Sequence, residues 1–133
     1  MKKYGHIALK VLMTLLLIMP VLGPLNLFPA PTADMYTNPL AFEFIKALMN
    51  SYIIAGMSIT CLLTLICLWS RREALAALLV LPVTANIIGF HAFLDGGLLT
   101  GGAIMGNVLL LINIYFLWVY RAQYQTILNA RKK

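Results

Sequence analysis

The sequence predicts an all-α integral membrane protein, a single domain over residues 1–133 that forms an antiparallel, up-and-down four-helix bundle. Three observations predict this fold class. Hydrophobic residues make up 62% of the chain and charged residues only 11%, whereas an ordinary soluble domain carries roughly 25% charged residues. Four long segments contain no Asp, Glu, Lys or Arg. The basic residues stand in short clusters between these segments, which is not typical of a nucleic-acid-binding face.

The uncharged segments are long enough to cross a bilayer. A spanning helix needs about 20 mostly apolar residues, because the hydrocarbon core is roughly 30 Å thick. The predicted spans are residues 11–28, 47–69, 74–94 and 104–120. A cleaved signal peptide is the alternative for the first span, but Pro31 stands at the −3 position of the candidate cleavage site before Asp34. This position favours an uncleaved helix.

The distribution of charge predicts the orientation of the chain. Lys and Arg concentrate in short cytoplasmic segments, and nine of the ten basic residues fall on one side of the predicted bundle, with only Lys46 on the other. Trp69 and Trp118 end their helices on that basic side, where amphipathic rings favour the interface. We therefore expect a multi-pass protein of a bacterial inner membrane with both termini in the cytoplasm.

Two connections on the opposite side carry local structural signals. The outer loop, residues 29–46, includes Asn38 followed by Pro39. This pair is typical of a helix start, because Asn caps a free N–H and proline has none to lose there. We therefore predict a short interfacial helix. The glycine-rich residues 95–106 predict a flexible loop that runs into a helix start, and their GxxxG spacing leaves close helix contact as the alternative.

The depths of polar side chains indicate a candidate binding site, because such groups are costly in hydrocarbon unless they have partners. At about 1.5 Å per residue, polar groups of all four helices fall in the outer half of the membrane. We expect them to line a small cavity open to the extracytoplasmic side. The predicted ligand-binding residues are Asn86, His91, Asn107, Asn26, Phe90 and Tyr115.

Structural explanations remain open for the same residues. Asn86 and Asn107 can hydrogen-bond across a helix pair, which fixes register without any ligand. His91 can pair with Asp95, which follows four residues later on the same helical face.

Chemical motifs for catalysis are absent from the sequence. No nucleophile, base and orienting group stand at a recognisable spacing, and no metal or haem motif occurs. Cys61 and Cys67 are six residues apart on one predicted helix, too far apart for a disulfide. We therefore predict no catalytic and no metal-binding residues, and the sequence favours a membrane component over a self-sufficient enzyme.

Two segments resemble the DoxX-like family. Residues 78–97, LLVLPVTANIIGFHAFLDGG, contain an aliphatic stretch, a proline, an Asn-Ile pair and a Phe-His pair before the outer loop. Residues 107–128 are similar to the last helix of that family and its aromatic, Arg-containing exit. Many members carry Glu and Gly in the second helix, where this chain has Thr60 and Thr64. The resemblance implies four helices with both ends cytoplasmic and an association with membrane redox systems, including thiosulfate–quinone oxidoreduction, or with assembly factors.

The sequence thus favours an accessory or redox-associated membrane component whose outer-half pocket binds a quinone-like or lipid-like molecule. Its expected partners are the lipid bilayer and a membrane redox protein or another membrane protein, and oligomerisation is left open. A chaperone or scaffold that recognises other membrane helices is the alternative. A small-solute permease is less favoured, because four short helices enclose little volume.

Overall fold

The structure is a computed structural model that describes residues 2–129, and these residues form helices and connections without any strand. The helices are α1 (Lys2–Leu22), α2 (Pro39–Met49), α3 (Tyr52–Trp69), α4 (Glu73–Phe93), α5 (Ala103–Val119) and α6 (Arg121–Leu128). Three of them are long and apolar enough to cross a membrane, namely α1 with the turn that follows it, α3 and α4. The next apolar helix, α5, is shorter at 17 residues. The chain is therefore an all-helical protein with the helix lengths of a membrane bundle.

The helix bounds differ from the predicted spans at two places. The first predicted span ends at residue 28, but α1 ends at Leu22 and a 3-10 turn that contains Pro24 follows at Gly23–Leu25. The predicted span 47–69 divides before Ser51, whose hydroxyl accepts a hydrogen bond from the Ile53 N–H and caps a new helix, α3. By contrast, α4 and α5 begin and end within one residue of 74–94 and 104–120.

The short helix expected after Asn38 is confirmed as α2. The Asn38 side-chain oxygen accepts a hydrogen bond from the Leu40 N–H at 3.0 Å, and Pro39 occupies the first helical position. Since α2 ends at Met49 and α3 begins at Tyr52, only two residues separate these helices.

The long helices form a ring in which each contacts its neighbours along the chain. α3 packs against α1 and α4, α4 packs against α5, and contacts between α1 and α5 complete the ring. The Trp69 indole donates to the Thr14 hydroxyl at 3.0 Å, and the Ser58 hydroxyl donates to the Val21 carbonyl at 2.8 Å. From the first contact to the second, the residue number increases along α1 and decreases along α3. The two helices are therefore antiparallel.

Glycine allows α4 and α5 to approach closely. A Cβ at Gly106 would lie 2.6 Å from Cγ2 of Ile87, so a close helix contact exists there, as the GxxxG alternative proposed. The loop interpretation is confirmed for Gly96 and Gly97, whose φ values of 81° and 108° favour glycine.

The core contains apolar side chains from all four long helices together with a few polar ones. Its largest buried apolar side chains are Phe116, Met13, Leu17, Leu68 and Val80. Thr64, Thr84 and Asn113 are also fully buried. We call the end with the Ser70–Arg72 turn the basic end, and the end with the connections 23–51 and 94–102 the loop end.

Candidate functional site

The buried carboxylate of Asp95 organises the loop end. This residue follows α4 and is only 3% exposed. Its Oδ1 accepts the Thr37 N–H at 2.9 Å, and the Thr37 hydroxyl lies 2.9 Å from Oδ1 and 2.8 Å from the Asp95 carbonyl oxygen. Asp95 thereby fastens the segment before α2 to the end of α4, and we call this contact the Asp95 latch.

His91 completes the Asp95 latch. Its Nδ1 lies 3.0 Å from Oδ2 of Asp95, and this nitrogen carries the proton because a carboxylate can only accept. The predicted pairing of His91 with Asp95 is therefore confirmed. Burial alone would raise the pKa of Asp95, but hydrogen bonds from Thr37 and then from His91 outweigh it and lower the pKa below its ordinary value. The carboxyl group is consequently ionised at neutral pH.

Aromatic packing attaches α2 to the same end of α4. The Phe90 ring stacks on Phe44 at 5.8 Å between centroids and meets Tyr36 edge-on at 6.2 Å. Phe90 therefore packs against α2 and the segment before it.

The structure brings three of the six predicted ligand-binding residues to one region. His91 and Phe90 are consecutive on α4, and His91 packs against α5 at Gly102 and Gly106, beside Asn107. The Asn107 amide donates to the Leu98 carbonyl at 2.7 Å. The hydrogen bonds of Asn107 and His91 are thus made within the protein, to a loop carbonyl and to the Asp95 latch.

Asn86 and Tyr115, which were expected in the same cavity, lie elsewhere. Asn86 is exposed, and its amide donates to the Pro82 carbonyl at 2.9 Å. It follows buried Thr84 by two residues, and two residues turn an α-helix by about 200°. Tyr115 follows Asn107 by eight residues, which is about 12 Å along the helix, and therefore lies nearer the basic end.

Asn26, the remaining predicted residue, lines an open groove at the loop end. Its φ of 52° is left-handed, a conformation that Asn tolerates better than most residues. We call this depression of about 310 Å³ the loop-end groove; it contains Asn26, Pro31, Phe42, Lys46, Met49 and Asn50. It combines one ammonium and two amides with an aromatic ring and a thioether chain, which suits an amphiphilic ligand.

A polar cluster at the basic end was missed by the sequence analysis. Lys10 donates to Oε1 of Glu73 at 3.0 Å, with side chains that are only 10% and 13% exposed. The Lys10 ammonium also lies 5.0 Å from the centroid of the Trp69 ring. The first predicted span begins directly after Lys10, which places this residue outside the helix. In the structure α1 begins eight residues before Lys10, so the charge lies within a helix that packs against others.

His6 joins this cluster to α5. Its Nδ1 lies 3.4 Å from the Tyr115 hydroxyl and its Nε2 lies 3.4 Å from the Tyr120 hydroxyl. The ring meets Phe116 edge-on at 5.2 Å between centroids. We call His6, Lys10, Glu73, Tyr115 and Tyr120 the basic-end cluster.

Two further observations concern possible metal ligands and the polar side chains of the core. Among residues 2–129, no three or more His, Cys, Asp and Glu side chains are grouped so that they could hold a metal ion. The buried Asn113 amide lies 3.5 Å from the Thr84 hydroxyl, while its Oδ1 has no partner among the described residues.

Comparison of the chain with models of protein families, with curated proteins and with solved structures finds no match.

Proposed function

We propose that this chain is a four-span, DoxX-like protein of a bacterial inner membrane with both termini in the cytoplasm. It acts as an accessory or redox-associated membrane component and binds a quinone-like or lipid-like amphiphile at the loop end. The length of α5 supports a fourth span, since 17 residues rise about 26 Å, close to the thickness of the hydrocarbon core. The arginines at the basic end support the orientation, because basic residues concentrate on the cytoplasmic side.

The observation that carries the proposed ligand is the composition of the loop-end groove. The Lys46 ammonium and the Asn26 amide have no hydrogen-bond partner among residues 2–129, so both remain available to a carbonyl or headgroup oxygen. Phe42 and Met49 supply the apolar surface for a ring or chain. A volume of about 310 Å³ is at the lower limit of small-molecule sites, which suits the head of an amphiphile rather than a large solute.

Binding of a short-chain quinone tests the proposal. The protein is placed in phosphatidylcholine nanodiscs, and saturable binding of decylubiquinone is measured by titration calorimetry. Asn26→Gly keeps the left-handed backbone accessible and removes the amide, while Lys46→Gln removes the charge. We expect the double variant to bind at least tenfold more weakly, which corresponds to about 1.4 kcal/mol.

Asn86→Ala is the matched control, because Asn86 is exposed outside the groove and also carries an amide. Its affinity should equal that of the unmodified protein. Absence of saturable binding, or an equal loss of affinity in the Asn86 variant, would overturn the proposed ligand site.

A further inference from the structure

We propose that a second groove, at the basic end, binds the phosphate headgroup of an anionic phospholipid. This depression of about 290 Å³ lies between the start of α4 and the helix α6, and Arg71, Arg72, Leu75, Leu78 and Tyr124 line it. We call it the basic-end groove. The proposal concerns a different end, a different ligand and different residues from the loop-end groove, and it rests only on the bundle lying in a bilayer.

The two arginines carry positive charges that are not paired with any other group of the described residues. Lys10 pairs with Glu73, and Arg121 lies over the Trp118 ring at 4.5 Å while it donates to the Trp118 carbonyl at 2.9 Å. Arg71 and Arg72 are exposed, and within residues 2–129 neither guanidinium has a carboxylate or hydrogen-bond partner. Both free guanidinium groups lie in the same groove.

The fold holds the two sides of the groove together. Arg71 adopts a left-handed φ of 60°, and the Arg72 N–H donates to the Cys67 carbonyl at 2.9 Å, which closes the turn between α3 and α4. On the other side, the Tyr124 hydroxyl donates to the Ala74 carbonyl at 2.9 Å. This bond fastens α6 against α4, so the groove has a wall opposite the arginines.

The groove becomes apolar within two turns of the arginines. Leu75 and Leu78 are one turn apart on α4 and are 45% and 40% exposed. A ligand that extends from Arg72 along these leucines therefore passes from positive charge to apolar surface, as a phospholipid does from phosphate to acyl chain. Guanidinium groups recognise phosphate oxygens through paired, charge-assisted hydrogen bonds. A soluble phosphate would use the arginines but leave both leucines uncovered, so we commit to the lipid.

Native mass spectrometry of the full chain tests this assignment. The protein is released from mixed micelles that contain equal amounts of phosphatidylglycerol and phosphatidylcholine, and the retained lipids are counted. We expect one phosphatidylglycerol to be retained in preference to phosphatidylcholine. Arg71→Gln with Arg72→Gln should reduce that preference at least tenfold. Arg72→Lys alone should reduce it less, since lysine keeps the charge but lacks the paired geometry.

Arg121→Gln is the matched control, because it removes one charge at the same end from a residue already engaged with Trp118. It should retain phosphatidylglycerol as the unmodified protein does. A loss in the Arg121 variant equal to that of Arg72→Gln alone would show that only net charge matters and would overturn the site. So would displacement of the lipid by millimolar glycerol 3-phosphate, which would identify a soluble phosphate as the ligand.

Helix content and melting temperature confirm that each variant is folded. Failure of quinone binding would leave the outcomes of the lipid experiment unaffected.

Discussion

The two ends of the bundle each contain one histidine and one acidic side chain of low exposure, yet they use them differently. In the basic-end cluster, Lys10 meets Glu73 and His6 meets two tyrosines of α5 and its end, so every contact joins separate helices. In the Asp95 latch, His91 is only one turn from Asp95, and the distant partner is the backbone and hydroxyl of a connection. The basic end therefore fixes how helices are arranged, whereas the loop end fixes where a connection lies.

This contrast predicts that the largest loss of stability comes from the basic-end cluster. Lys10→Met leaves the partly buried Glu73 carboxylate without its partner, and we expect a loss of about 3 kcal/mol, the lower end of the range for buried pairs. The free energy of unfolding in detergent micelles measures this loss.

The double variant Lys10→Met/Glu73→Gln is the control for that experiment. It removes both charges and should regain most of the lost stability, because no unpaired charge is left behind. A single Lys10 variant as stable as the unmodified protein would contradict a role for this pair in holding α1 against α4.

At the loop end we expect a smaller and more local effect. Asp95→Asn keeps the shape of the side chain but weakens the bonds from Thr37 and His91, and a hydrogen bond to a charged group contributes about 2 kcal/mol. Hydrogen exchange should accelerate in residues 26–51 while the protected core of α3 and α4 is little changed. Asp34→Asn is the matched control, since Asp34 is an exposed acid at the same end. A uniform acceleration over the whole chain would contradict the local role of the Asp95 latch.

The pH dependence of stability gives the latch a second test. Because the folded-state pKa of Asp95 is lowered from 3.8, its stabilising contribution is fully present above the unfolded-state value. It is lost as the pH falls through the lower folded-state pKa. Melting temperatures measured between pH 6 and pH 2 should therefore fall more steeply for the unmodified protein than for Asp95→Asn. An equal fall in melting temperature for the two proteins would show that the ionised Asp95 carboxylate is not stabilised by Thr37 and His91.

The smallest expected effect concerns the contact between α4 and α5 that lies between the two ends. Gly106→Ala would bring its Cβ within 2.6 Å of Ile87, and such overpacking costs about 1 to 2 kcal/mol. Gly89→Ala, four residues before the end of α4 and with nothing within 4 Å of its Cβ, should instead stabilise the helix by a few tenths to about 1 kcal/mol. Unfolding free energies of the two variants with the same sign of change would contradict the close approach at Gly106.

Much of the fold followed from the sequence because the relevant signals are local. The apolar composition predicts helices long enough to cross a membrane, the helix start at Asn38 depends on two adjacent residues, and the pairing of His91 with Asp95 requires only one helical turn. Each of these needs no knowledge of what a helix packs against.

The candidate sites, in contrast, depended on tertiary structure. Counting residues from a charge gives the depth of a side chain in the membrane but not the side of the helix from which it projects. Asn86 therefore has the depth expected of a binding residue, while its side chain is exposed and lies apart from His91 and Asn107. Lys10 and Glu73 are 63 residues apart, and neither shows in sequence that the other lies beside it. Composition and the lengths of the uncharged segments predicted the long helices. The rotation of each helix about its axis, which packing alone decides, determined which polar groups meet.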